Sequence, residues 1–173
     1  MKWVKRFYPN HLYKNIYEID FKQLKEDGIE SLLIDLDNTI IPRNVKELTE
    51  EVEQWFKGLT EEGFKVCIVS NNMKGRVKKV LRKVEIPFVA RAGKPRRKAF
   101  IQGIEALRTS KEKTAVIGDQ LFTDVFGGNM LDLMTILVSP VGKSDLPHTK
   151  FLRIFENRLI RKFIKERKDK DKK

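Results

Sequence analysis

Short apolar runs punctuate the chain, and longer stretches with helical spacing fall between them. Leu32-Leu33-Ile34, Phe64-Lys65-Val66-Cys67-Ile68-Val69, Thr114-Ala115-Val116-Ile117 and Thr135-Ile136-Leu137-Val138 are rich in branched residues and too short for helices, so they read as buried strands. Read in full, the pattern predicts strands near residues 31–37, 64–70, 86–91, 113–118 and 133–139, with helices near 46–62, 74–84, 96–108 and 124–131. Thr49, followed by an acidic stretch from Glu50 to Glu53, supplies an N-cap and an acidic first turn for the first helix, and Gly63 supplies its stop. Strands alternating with helices imply βαβ crossovers, hence an α/β chain with a central parallel sheet. The expected organisation is a single domain over 1–173, with a core of about 29–140, an N-terminal extension 1–28 and a C-terminal segment 150–173. The all-charged end, Lys168 to Lys173, is expected to be disordered.

The polar residues that close the strands carry the chemistry. Asp35-Leu36-Asp37-Asn38-Thr39 comes directly after the first apolar run. Side chains at i and i+2 leave a strand on one side, so both carboxylates can be aimed at one point able to hold a metal and a phosphate. Taken alone, the same residues also suit a surface turn. Three later segments, in their order along the chain, separate the two readings. Ser70-Asn71-Asn72 ends the second strand, Gly93-Lys94-Pro95 opens a helical stretch, and Gly118-Asp119 ends a further strand with Asp124 behind it. Open α/β sheets bind ligands outside the carboxyl ends of their strands, and each of these groups falls there or at the start of the next helix.

Together these segments resemble the four motifs of the haloacid dehalogenase (HAD) superfamily of phosphatases over roughly residues 30–140. The first, DxDx[TV], reads Asp35 to Thr39; the second falls on Ser70, the third on Lys94, and the fourth, GDxxxxD, on Gly118 to Asp124. The run from Gly118 to Asn129, with Thr135 to Val138, is similar more closely to the YqeG family of type IIIA HAD phosphatases, which is related to the mitochondrial and plastid phosphatidylglycerophosphate phosphatases. Met130 and Asp132 stand where that family usually carries Arg and Gly, which puts any role of that Arg in doubt.

The resemblance implies a HAD-like Rossmannoid three-layer sandwich and a magnesium-dependent hydrolase of phosphate monoesters. Asp35 is then the nucleophile, since a carboxylate splits the displacement into two easier steps through an aspartyl-phosphate. Asp37 protonates the leaving alkoxide and later deprotonates the attacking water. Ser70 and Lys94 neutralise the transferring phosphoryl group, with Thr39 and Asn71 as further phosphate-binding residues. Asp35, the backbone carbonyl of Asp37, Asp119 and Asp124, the last either directly or through water, are the expected ligands of Mg2+, a hard cation suited to oxygen donors.

Composition narrows the partners. A length of 173 residues with 40% hydrophobic content supports one real core. Cys67 is the single cysteine and lies mid-strand, so no internal disulfide can form and a reducing cytoplasmic setting is expected. The opening Met1 to Arg6 is broken by charge too often for a signal peptide, and no run approaches the roughly 20 apolar residues of a membrane span. His11 and His148 lie in polar, Pro-flanked sequence without metal-ligand spacing, and no zinc site is expected.

Neither Thr39 to Lys46 nor Asn72 to Lys94 leaves room for an inserted cap domain, so the fold is expected to be essentially capless and its site open. An open site suits a phosphate carried on something large, unless oligomerisation supplies a lid. The net charge of +12 attracts anionic surfaces. Much of it flanks an apolar stripe, Phe151, Phe155, Leu159 and Phe163, with Leu152, Ile160 and Ile164 alongside and Arg158, Arg161, Lys162 and Lys165 at its borders. Such a helix either lies on an anionic membrane or packs on the sheet as a final helix. Trp3, Phe7 and Tyr8, with Lys2, Lys5 and Arg6, extend the same character at the start. Three functions remain: dephosphorylation of phosphatidylglycerophosphate at the cytoplasmic membrane face; the same chemistry on a soluble sugar or nucleotide monophosphate or a nucleic-acid terminus; and phosphate or RNA binding without turnover. The third is disfavoured because binding alone does not need an acid/base two residues after a nucleophile, and no RNA-binding motif with interleaved aromatics is evident.

Overall fold

The computed structural model describes residues 3–142 and 147–170. Its strands are β1 (His11–Tyr13), β2 (Ser31–Ile34), β3 (Lys65–Val69), β4 (Phe88–Val89), β5 (Thr114–Gly118) and β6 (Met134–Val138). They form one sheet in the order β1-β6-β5-β2-β3-β4, and every pairing is parallel. The helices are α1 (Phe21–Glu26), α2 (Glu50–Glu61), α3 (Lys74–Val80), α4 (Arg97–Leu107), α5 (Phe126–Asn129) and α6 (Pro147–Lys170), with a π-helical turn over Leu121–Val125.

Alternation along the strands builds two apolar layers. Leu32 and Ile34 of β2 face the same side as Val66, Ile68, Ala115 and Ile117, where they meet Leu24 of α1, Phe56 of α2 and Val77 of α3. Leu33, Cys67, Val69 and Val116 face the other side and meet Ala99, Phe100 and Ile104 of α4. Burial of each large side chain contributes about 1.5–3 kcal/mol, so the two layers fix the strand register. That register sets Ile34 opposite both Ile68 and Ile117. The residues just past β2, β3 and β5 therefore emerge at one level.

Several elements differ from expectation. β2 stops at Ile34, because Asp35 onward turns away: the Asn38 amide bonds to the Ile41 carbonyl at 2.7 Å, with Asn38 at φ 64°. β4 is only a pair of residues, and α3 ends at Val80. The helix expected near 124–131 begins instead as the π-helical turn at Leu121 and stops at Asn129. The start of α2 agrees with the sequence reading, with the Thr49 hydroxyl accepting from the Val52 amide. Gly63, at φ 88°, follows Glu62, the C-cap of that helix.

The N-terminal segment is part of the fold rather than an extension of it. β1 pairs with β6, and Ile16, Ile19 and Leu24 are buried in the larger layer. Asn10 and Asn129 hold it there: the Asn10 side chain accepts from the Thr135 amide at 2.8 Å, and the Asn129 side-chain amide donates to the carbonyls of Arg6 and Tyr8. His11 accordingly lies in a strand, and His148 in α6, not in loops. Asp132 sits at φ 58°, a conformation Asp tolerates better than most residues. At the other end α6 continues through Lys170, so Lys168–Lys170 are helical rather than disordered; Asp171 to Lys173 lie outside the described residues. No helix among the described residues is long and apolar enough to cross a membrane.

Candidate active site

Lys94 is the centre of the carboxyl-end cluster. Its ammonium lies 2.6 Å from a carboxylate oxygen of Asp35 and 2.6 Å from one of Asp124, and all three side chains are almost entirely buried. Asp35 leaves the end of β2, Asp119 comes just after β5, Asp124 belongs to the π-helical turn, and Lys94 lies on the connection between β4 and α4. One carboxylate oxygen from each of Asp35, Asp119 and Asp124 lies within 4.8 Å of the others. Buried carboxylates of one sign repel unless a cation is present, and this donor set is all hard oxygen, which fits a divalent ion such as magnesium. Gly118 makes the geometry possible, since a Cβ there would run into the Asp124 carboxyl group.

The electrostatics are set by burial and charge. Loss of water pushes the Asp35 carboxyl up to about 6, against the pull of the Lys94 ammonium. Burial by itself would lower the Lys94 amine, but the carboxylates of Asp124 and Asp35 outweigh it and hold the amine above its ordinary value. Lys94 is therefore a fixed positive charge. Thr39 donates its hydroxyl into the same cluster, 3.4 Å from Asp35 Oδ2 and 3.2 Å from Asp119 Oδ1.

The remaining sequence candidates are Ser70, Asn71 and Asp37. Ser70 is buried and its Oγ accepts from the Asn72 amide at 3.1 Å. Asn71 engages the Lys94 backbone with both ends of its side-chain amide, accepting at 2.7 Å and donating at 3.3 Å. Asn71, expected at the phosphate, thus fixes the loop that delivers Lys94. Asp37 is turned toward α3, where Arg76 holds one oxygen and Asn72 the other. Sequence reasoning missed both partners. Arg76 is one of 36 basic residues with no motif to mark it, whereas Asn72 was visible only as a neighbour of Ser70.

A groove of about 810 Å³ opens beside Asp119 and runs between α6 and the carboxyl ends of β1 and β6. Leu12, Tyr13, Leu137, Val138, Ile160 and Ile164 are among its walls. α6 is placed by Leu159 and Ile160, which pack on Leu121, Val125 and Leu137, and by the buried Glu156, which accepts from the Phe122 amide. Arg158, Arg161, Lys162 and Lys165 remain exposed. The apolar stripe of this helix is thus partly core. Phe155, 47% exposed, belongs to its outer side together with the basic residues. Cys67 is buried in the sheet, where burial pushes its thiol up to about 12.

Comparison with known proteins agrees with this architecture. The chain is 42% identical over 156 residues to "Probable phosphatase YqeG" of Bacillus subtilis (strain 168), covering 90% of this chain and 91% of that protein. Its fold is similar to that of an uncharacterized protein from Listeria monocytogenes serotype 4b, with a TM-score of 0.54 at 18% identity over 69% of this chain and 85% of the other. It is also similar to hypothetical protein XCC2798 from Xanthomonas campestris, with a TM-score of 0.52 at 13% identity over 72% and 71%. At such identities the structural likeness speaks to fold alone. Residues 1–132 match the family described as "Hydrolase: haloacid dehalogenase-like hydrolase". With three-quarters of its length inside that match and a relative of this identity across nearly all of it, the chain belongs to the haloacid dehalogenase-like hydrolases.

Proposed function

We propose that this chain is a phosphatase that acts on phosphatidylglycerophosphate, forming phosphatidylglycerol through an aspartyl-phosphate on Asp35, with magnesium as its cation. The observation that carries the phosphatase chemistry is the buried Lys94 held between Asp35 and Asp124, with Asp119 alongside. A charge arrangement this costly to bury has a use where a phosphate's negative charge must be received. Asp35, the Asp37 carbonyl, Asp119 and Asp124 would hold the magnesium ion, which when bound supplies positive charge against that of the phosphate and the carboxylates.

The chain's own groups divide the work. An oxygen of Asp35 attacks phosphorus, forming the Asp35–phosphorus bond as the bond to the leaving alcohol breaks, and Asp37 gives its proton to that alcohol's oxygen. Water then attacks phosphorus while Asp37 takes its proton, and the Asp35–phosphorus bond breaks to release phosphate. Lys94 stays protonated throughout and holds Asp35 in its attacking orientation. Ser70 and Thr39 supply hydroxyl donors at the edge of the phosphoryl site.

Three features favour a lipid substrate. No cap domain stands over the site among the described residues, the groove beside Asp119 has mainly apolar walls, and α6 presents exposed basic residues next to Phe155. An alcohol with an apolar body fits the groove, while the basic face draws the protein peripherally to an anionic membrane on its cytoplasmic side. The test is phosphate release from phosphatidylglycerophosphate in mixed micelles beside a panel of sugar, nucleotide and nucleic-acid 3′- and 5′-phosphates, with magnesium and with D35N as the blank. Preference for the lipid is expected. Faster turnover of a soluble monophosphate would overturn the substrate assignment, and equal phosphate release by D35N would overturn the mechanism.

A further inference from the structure

Asp37 is clamped. Arg76, in α3, places Nε 3.0 Å and Nη2 2.5 Å from Asp37 Oδ1, and its Nη1 donates to the Val45 carbonyl at 2.9 Å. The second oxygen, Oδ2, accepts from the Asn72 side-chain amide at 2.9 Å. That amide is itself oriented, because its oxygen accepts from the Met73 backbone amide at 2.8 Å. Oδ1 thus accepts twice and Oδ2 once, which leaves a lone pair of Oδ2 for proton transfer; all three guanidinium nitrogens are engaged, and the Arg76 side chain is only 20% exposed.

We infer that Arg76 is a positioning residue for the acid/base carboxylate, setting the direction in which Asp37 presents its proton-transferring oxygen. This rests on the assignment of Asp37 as acid and base. A carboxylate at the end of a strand rotates freely about two bonds, and proton transfer demands alignment within hydrogen-bond reach of the leaving oxygen. The rigid guanidinium fork removes that freedom. Its third contact, to Val45, ties the orientation to the connection between β2 and α2, which stands in the place of a cap. Two cations thus divide the first motif between them, Lys94 serving Asp35 and Arg76 serving Asp37. The Lys94 contacts match the family motif; the Arg76 contacts are carried by no motif in the chain.

The consequence is specific to leaving groups. A good leaving group such as p-nitrophenolate departs without a proton, whereas an alkoxide needs one. The experiment measures kcat/KM of wild type, R76A, R76K and D37N on p-nitrophenyl, phenyl and benzyl phosphate, with thermal melts as the check on folding. R76A should lower kcat/KM on benzyl phosphate by about 10- to 100-fold and on p-nitrophenyl phosphate by less than about threefold, a fraction of the full general-acid effect. R76K should show the same split in weaker form, since an ammonium cannot span both Asp37 and Val45. Added guanidinium at low millimolar concentration should restore part of the R76A loss on benzyl phosphate. An equal loss on all three esters, or none, overturns the positioning role. Should R76A fail to fold, the absence of a split in R76K does so instead. A D37N enzyme with no leaving-group dependence would remove Asp37 as the acid, a failure of the underlying assignment that the Arg76 variants would not produce.

Discussion

Charge is handled in opposite ways at the carboxyl end of the sheet and along α6. At the sheet, Asp35, Lys94, Asp119 and Asp124 are all at most 8% exposed, and the Lys94 ammonium holds two of the carboxylates at 2.6 Å. Along α6, Arg158, Arg161, Lys162 and Lys165 stand in water on a helix whose inner side is anchored by Leu159 and Ile160. Buried charge survives only with defined partners, so it specifies geometry; exposed charge is screened and directionless, so it specifies only attraction. In the proposed function, chemistry belongs to the first region and affinity for anionic surfaces to the second.

The contrast breaks most sharply at Asp35. D35N should abolish phosphate release, by roughly 10⁴-fold or more, because in the proposed mechanism Asp35 is the attacking group. The melting curve should survive, since the amide can still accept from Lys94 through its oxygen. Near-normal phosphate release by purified D35N would show that the buried cluster is structural, and the contrast with α6 would lose its meaning. Next in size is metal removal: chelation should abolish turnover and magnesium restore it, while calcium, larger and looser in coordination, should inhibit. Full activity in chelator, with no metal retained on elemental analysis, would sink the role given to the acidic group.

The two regions were also unequally legible in sequence. Asp35, Ser70 and Asp119 are legible because they lie where apolar runs end, and Lys94 because it opens a helical stretch; a parallel sheet brings strand ends together whatever the loops do. Arg76 was not, because its meeting with Asp37 spans 39 residues and depends on where α3 sets down after β3. β1 was hidden for another reason. His11-Leu12-Tyr13 is an edge strand, half-buried, and its place is secured by side-chain amides of Asn10 and Asn129 rather than by hydrophobic alternation. α6 was ambiguous in principle: one apolar stripe with basic borders describes a core helix and a membrane-surface helix equally. The structure divides it, with Leu159 and Ile160 turned inward and Phe155 outward.

That division gives a third, smaller effect. L159D and I160D should each destabilise the protein by about 2–4 kcal/mol, as expected for burying a charge among apolar side chains. F155D, at a position 47% exposed, should cost less than about 1 kcal/mol. Denaturant titration of the three variants checks this. Equal losses at Phe155 and Leu159 would mean that the whole stripe is core and that no apolar outer side exists.

The smallest effect on stability is the most informative for the outer face. Changing Arg158, Arg161, Lys162 and Lys165 together to Gln should move stability by less than about 1 kcal/mol, because exposed charges contribute little to a fold. Binding to vesicles containing anionic lipid should nevertheless fall steeply, since each basic residue near such a surface contributes about 1 kcal/mol and the attraction weakens as salt screens it. Sedimentation with vesicles of defined anionic content at rising salt measures the first half. The second half is kinetic: turnover of phosphatidylglycerophosphate in vesicles should drop while hydrolysis of p-nitrophenyl phosphate stays unchanged, because none of the four residues belongs to the cluster of Asp35, Asp119 and Asp124. If the variant binds vesicles as wild type does, the positive face is not the membrane contact. If it loses p-nitrophenyl phosphate hydrolysis as well, the separation between a chemical region and an attractive one fails, and α6 must be counted as part of the active site.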